Sequence, residues 1–211
     1  MLREINAANV SNLTSLHPRG KVLAAEGEPP RGVYILRAGR ATVSISSSEG
    51  RIVILRMAQP GDMLGLNAVL GNSTYETTVR TFEPCRTDFI SRGELMELVE
   101  KSDTARRLVM KILSSEVTEL TNRTRSLLLP QTASARLARL LLDWTHQSNG
   151  NNSHAPRVEK SFTHEEIAQM ICSSRETVTR LLATFSRREI IRITGDSILI
   201  SDGEALEGLA M

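Results

Sequence analysis

Aromatic residues are scarce in this chain: four Phe, two Tyr and one Trp among 211 residues. Its cores must therefore be built from Leu, Ile and Val, and a hydrophobic content of 40% supplies enough for two small ones. Cysteine is scarcer still. Cys85 and Cys172 make neither a disulfide framework nor a metal site of known spacing, so a reducing cytoplasm is the expected location. No apolar run approaches the roughly 18 residues needed to cross a bilayer. The opening Met1-Leu2-Arg3-Glu4-Ile5-Asn6 lacks the apolar centre of a signal peptide, so no membrane partner is expected. A strong charge of one sign is missing too. The formal net charge is +2, and residues 130–211 hold nine Lys and Arg against ten Asp and Glu. A nucleic-acid partner would thus have to be recognised by a local basic face rather than by bulk charge. Catalytic Ser/His/Asp order, metal-ligand spacing and a phosphate-binding glycine loop are all missing, which argues against an enzyme and implies no cofactor.

What is present begins with short strands. Residues 20 to about 90 alternate apolar and polar side chains between glycine-bearing turns, as in Arg40 to Ser46. Ser47-Ser48-Glu49-Gly50 reads as a hairpin turn, Ile52 to Leu55 as the return strand, and Val79 to Ile90 as further strand with Pro84 limiting its pairing. A small antiparallel barrel or sandwich is expected. Ser91 to Glu94 fits the Ser-x-x-Glu capping box and opens a helix. A longer helix, about Asp103 to Leu129, carries Leu113, Val117, Leu120, Thr124 and Leu127 at steps of four and three. With Glu116, Glu119, Arg123 and Arg125 around that seam, it reads as a dimer interface. A helix lying on its own barrel would show a similar stripe. Pro130 ends the helix, Thr132 can cap the next, and Leu137, Leu140, Leu141 and Trp144 give that next helix an apolar face. The resulting division is 1–102, 103–129 and 130–211.

Thr163 to Glu166 is a second capping box, opening a helix to about Ile171. A tight turn at Cys172-Ser173 follows, then a third box, Ser173 to Glu176, and another helix. Two short helices joined so briefly form a helix-turn-helix, and the small Ala168 sits where they must approach closely. At about 100° per residue, Arg175, Glu176, Thr179 and Arg180 share one arc of the second helix. Val178, Leu181, Leu182 and Phe185 share the opposite one. The polar arc is a candidate base-reading face: Arg can donate twice to guanine, and Glu can accept from cytosine. Thr163, Ser174 and Thr177 are candidate phosphate contacts near helix N-termini. Ile191 to Ile200 then reads as a hairpin, giving the winged form. An isolated helix with this pattern would be an ordinary solvated surface helix; the elements on either side favour DNA.

Taken together, the chain resembles the cyclic-AMP receptor protein/fumarate–nitrate regulator (CRP/FNR) family of bacterial transcription factors from about His17 to Ser201. The resemblance is most specific over Glu166 to Arg180 (EIAQMICSSRETVTR), and it extends to Gly27–Gly39 and to PGDMLG at 60–65, which are similar to the glycine frame of a cyclic-nucleotide-binding β-roll. It implies an α+β fold: an N-terminal antiparallel β-roll, a long dimerisation helix and a C-terminal winged helix-turn-helix. It also implies a homodimer on a palindromic double-stranded DNA site with TGTGA-like half-sites. Arg175, Glu176 and Arg180 would be the base readers. The loop from Asn149 to Lys160 would be a candidate contact to RNA polymerase.

The sensing end departs from the pattern. Cyclic-AMP binders of this family place Glu after the second glycine, where this chain has Leu66, and an Arg-Ser pair where it has Tyr75, Glu76 and Thr77. Cyclic AMP bound in the usual way is therefore not expected. Nor is an iron–sulfur cluster, since no cysteine precedes Cys85, and His17 lacks the pattern of a haem ligand. Thr121 and Asn122 match positions where family members touch ligand across the dimer. A pocket of Leu64, Gly65, Leu66, Tyr75, Thr77, Thr121 and Asn122 would suit a small organic effector, or none. Cys172 stands where the family usually has glycine, and a non-glycine residue there would cost about 1 kcal/mol if the backbone is left-handed; a small buried turn residue is expected, with a redox switch on DNA binding as the alternative. The competing function is a protein that binds cyclic nucleotides or other small molecules and acts mainly through protein contacts.

Overall fold

The computed structural model describes residues 13–129, 132–148, 157–159, 162–195 and 197–210. They form two compact units that divide between Thr121 and Asn122, inside the long helix.

The first unit is a β-roll of two antiparallel four-stranded sheets. One has the order β1 (Leu13–His17), β8 (Cys85–Ser91), β3 (Gly32–Ala38), β6 (Met63–Leu64). The other runs β2 (Val22–Ala24), β7 (Thr78–Thr81), β4 (Ala41–Ser46), β5 (Ile52–Ala58). The hairpin expected at Ser47–Gly50 joins β4 to β5, pairing Ser46 with Ile52. The expected strand from Val79 to Ile90 is two strands in different sheets: the chain crosses over at Phe82–Pro84, where proline cannot donate to a ladder.

Strand β3 explains the layering, because its alternate side chains enter different cores. Leu36 joins Leu23, Val43, Leu64, Tyr75 and Val79 between the sheets. Val33 and Ile35 point the other way, meeting Leu66 and Val69 of α1 (Leu66–Gly71), Leu95 of α2 (Arg92–Lys101) and Val109 of α3 (Asp103–Leu128). Helix α2 starts with the expected box, Ser91 and Glu94 exchanging bonds. A buried ion pair from Arg37 to Asp88, with Thr14 Oγ1 donating to the same carboxylate at 2.6 Å, ties β3, β8 and β1 together.

The alternative reading of α3, a helix lying on its own barrel, describes part of its stripe. Leu108, Ile112 and Leu113 pack on the roll's helix-side core, so Leu113 is half-buried within its own unit. Val117 and Leu120 remain 65% and 55% exposed, Met110 joins them at 67%, and Thr124 is also exposed while Leu127 is half-buried. Three of the seam charges, Glu116, Glu119 and Arg123, are used within the chain. Arg56 of β5 is 3.6 Å from Glu119 and 3.9 Å from Glu116, while Arg123, already part of the second unit, is turned toward the helix-turn-helix of that unit. No helix among the described residues is long and apolar enough to cross a membrane.

In the second unit, α4 (Ala133–Ser148) is capped by Thr132, whose Oγ1 accepts from Ala135 N at 3.1 Å. It buries Leu137, Ala138 and Leu141 completely. Around it lie α5 (His164–Met170), α6 (Arg175–Arg187), a three-stranded sheet in the order β10 (Ile191–Thr194), β11 (Ser197–Ile200), β9 (Arg157–Glu159), and α7 (Gly203–Leu209). Strand β9 and α7 have no counterpart in the sequence reading. Asp202, whose side chain accepts from Ala205 N, is the local cue for α7.

Candidate nucleic-acid interface

The helix-turn-helix is built from α5, a turn at Ile171–Ser174, and α6. Thr163 caps α5 through the expected reciprocal box: its Oγ1 accepts from Glu166 N, and its own N–H donates to Glu166 Oε2 at 2.6 Å. Helix α5 ends when Cys172 adopts φ 50° and Ser173 N donates back to Ala168 O at 3.0 Å, the left-handed stop normally given to glycine. Cys172 is exposed, which corrects the expectation of a buried turn residue. Arg136 Nε donates to Ile171 O at 2.7 Å, and Arg123 donates to Met170 O. Two guanidinium groups thus serve the carbonyl end of α5, where a helix carries partial negative charge. Burial pulls the Arg123 pKa below its ordinary value.

Helix α6 starts one residue later than expected. Ser174, not Ser173, is the N-cap: its Oγ accepts from Thr177 N, and the third box is not formed, because Glu176 falls at the second helical position rather than the third. The two faces separate as the phase required. Val178, Leu182 and Phe185 are buried, with Leu181 half-buried, while Arg175, Glu176, Thr179 and Arg180 are exposed. The Glu176 carboxyl is held below the usual carboxylate range by its own backbone N–H first, then by the Ser174 hydroxyl and neighbouring Arg175. It is therefore an acceptor-only group at neutral pH. Among the phosphate candidates, Ser174 Oγ lies 3.1 Å from Thr177 Oγ1, Ser174 and Thr163 are exposed, and Thr177 is half-buried.

One residue on this surface escaped sequence reasoning. His164, the first residue of α5, places Nδ1 2.8 Å from Thr179 Oγ1 on the exposed face of α6. A His beside a capping box gives no sequence signal for a contact 15 residues away; the helix pair creates it.

The residues of the expected effector pocket do not share one side. Leu64 and Tyr75 belong to the core between the sheets, whereas Leu66 packs into the core on the helix side. Gly65 (φ 84°) makes the reversal, and an added Cβ would lie 2.6 Å from the Tyr75 ring. The Tyr75 hydroxyl donates to Gly32 O at 2.7 Å. Thr77 is half-buried. Thr121, whose Oγ1 donates to Val117 O, and Asn122 are exposed.

Comparison with known proteins is consistent across the chain. Residues 16–102 match the cyclic nucleotide-binding domain family, and residues 135–209 the Crp-like helix-turn-helix domain family. The chain is 30% identical over 189 residues to the CRP-like cAMP-activated global transcriptional regulator of Mycobacterium tuberculosis, covering 90% of this chain and 84% of that protein. It is 25% identical to the fumarate and nitrate reduction regulatory protein of Yersinia pestis, over 91% of this chain and 76% of that one. Among solved structures, FixK2 from Bradyrhizobium japonicum shares the fold with a TM-score of 0.80 at 19% identity, covering 96% of this chain and 98% of that one. A CRP-family transcriptional regulator from Thermus thermophilus superposes with a TM-score of 0.76 at 25% identity, over 93% of this chain and 96% of that one. The chain belongs to the CRP/FNR family of transcriptional regulators and carries that family's helix-turn-helix DNA-binding domain.

Proposed function

We propose that this regulator acts as a homodimer that reads a palindromic DNA site with TGTGA-like half-sites. In this reading Arg175, Glu176, Thr179 and Arg180 contact bases, and Thr163, Ser174 and Thr177 contact phosphates. The observation that carries it is the partition of α6: a buried apolar face fixes the helix, and two arginines with an ionised Glu stand exposed at its N-terminal half. That half of a recognition helix is the part that reaches base edges. Exposed Val117 and Leu120, with half-buried Leu127, support pairing of the long helices, which would set two recognition helices about one DNA turn, roughly 34 Å, apart.

The sensing end takes a small organic effector, or none. Leu66 supports this reading against cyclic AMP held in the usual way: at 1% exposure its side chain belongs to the helix-side core and leaves no carboxylate for a ribose. The RNA polymerase contact falls on residues 149–160, of which only β9 lies within the described residues.

The test is Arg180→Ala on a duplex carrying the selected site, measured by fluorescence anisotropy at fixed salt. A guanine-reading Arg predicts a loss of about 1–3 kcal/mol with specificity relaxed at one position. Unchanged affinity would reject this reading in favour of a winged domain used for protein contacts.

A further inference from the structure

The His164–Thr179 contact fixes what Thr179 can offer to DNA. Thr179 Oγ1 lies 2.9 Å from Arg175 O, one turn back in the same helix, and can donate its single proton there. The same oxygen lies 2.8 Å from His164 Nδ1: while the hydroxyl donates to Arg175 O it accepts from Nδ1–H, and in the other tautomer it donates to Nδ1. The imidazole is itself held, because His164 lines a small apolar cavity with Trp144, Phe162, Ile167 and Leu182. Thr179 is nevertheless exposed. In either tautomer its single proton is taken up within the protein, and the group left without a hydrogen-bonding role is its γ-methyl.

We propose that Thr179 reads the C5-methyl group of a thymine by apolar contact, and that His164 is the positioning residue that holds it in that orientation. Thymine is the base whose major-groove edge carries a methyl group, and a threonine methyl is one of the side-chain groups that meets it. Thr179 lies between Arg175 and Arg180 on the exposed arc, so the methyl contact falls beside the hydrogen-bonding contacts of the arginines. By the same chemistry, 5-methylcytosine would be accepted in place of that thymine. This inference rests on the reading of α6 as the base-contacting helix.

The experiment begins with selection of a duplex from a random pool by the full-length protein. Each thymine of the selected half-site is then replaced by deoxyuridine, which lacks only the methyl group. The expected result is one thymine per half-site whose replacement weakens binding about fourfold, the effect of one buried methyl. Thr179→Ser should bring that ratio near one, and Thr179→Val, which keeps a methyl, should preserve it. His164→Ala, measured at a temperature where circular dichroism shows it folded, should lower the ratio, and 5-methylcytosine at that position should bind better than cytosine. A flat deoxyuridine scan on a selected site, or a ratio that persists in Thr179→Ser, overturns the proposal while leaving DNA recognition intact. A full ratio in His164→Ala overturns the positioning role. A pool that yields no enriched sequence overturns this inference and the proposed function together.

Discussion

Replacing Cys172 with glycine should stabilise the helix-turn-helix, although it deletes a side chain from the middle of the functional motif. Cys172 sits at φ 50°, where an L-residue brings its Cβ against the following carbonyl. That conformation costs about 1–2 kcal/mol, and glycine does not incur the cost. Glycine in turn loses more entropy on folding, which offsets roughly 0.4–1 kcal/mol. The thiol is exposed, so its removal forfeits little burial, and the backbone carbonyl that accepts from Arg136 is retained. The net expectation is about 0.5–1 kcal/mol in favour of glycine. Urea denaturation followed by circular dichroism should show a higher midpoint for Cys172→Gly at unchanged slope. Cys172→Ala is the necessary comparison, since it removes the thiol and keeps the Cβ; it should match the wild type. Glu189, at φ 58° just past α6 with Ile190 N donating to Phe185 O, occupies the equivalent place, and Glu189→Gly should behave alike. If glycine is no more stable than alanine at Cys172, backbone strain is not what this turn stores.

Further outcomes concern the first unit and the seam. Asp88→Ala should cost about 3 kcal/mol in the same assay, because a carboxylate 4% exposed is removed from between Arg37 and Thr14. Glu116 titrates above its ordinary 4.5, chiefly through burial, which with the nearby Glu119 and Asp62 carboxylates outweighs the pull of Arg56 and the hydrogen bond from Asn67. The folded state then binds more protons than the unfolded chain, so stability falls as pH rises through the range just above 4.5. Glu116→Gln should flatten that fall in a pH series of melts. Leu120→Glu, at a side chain 55% exposed in the single chain, should leave the melt within about 0.5 kcal/mol and raise the dimer dissociation constant at least about tenfold by analytical ultracentrifugation. An unchanged dimer would remove the seam assignment.

Local signals were legible and largely accurate. The boxes at Ser91 and Thr163, the turn at Ser47–Gly50, and the two faces of α6 each depend on residues within a few positions of one another. The third N-cap slipped by one residue and its box is not formed, because Ser173 and Ser174 are equally good caps in sequence and only the turn at Cys172 chooses between them. The long helix was harder. Its apolar stripe is real, but whether a residue on it packs on its own roll depends on what lies beneath: Leu113 does and Val117 stays exposed.

Sequence by itself determined the family, the helix-turn-helix and the exposed face of its second helix, since motif spacing and helical phase are properties of consecutive residues. Tertiary structure alone decided the rest. It sent Leu64 and Leu66 into different cores across one left-handed glycine, gave Glu116 and Glu119 to Arg56, turned Arg123 and Arg136 onto the end of α5, and brought His164 to Thr179. The physical reason is common to all of them. A side chain's partner is set by which elements pack together, and packing joins residues whose separation along the chain carries no periodic mark.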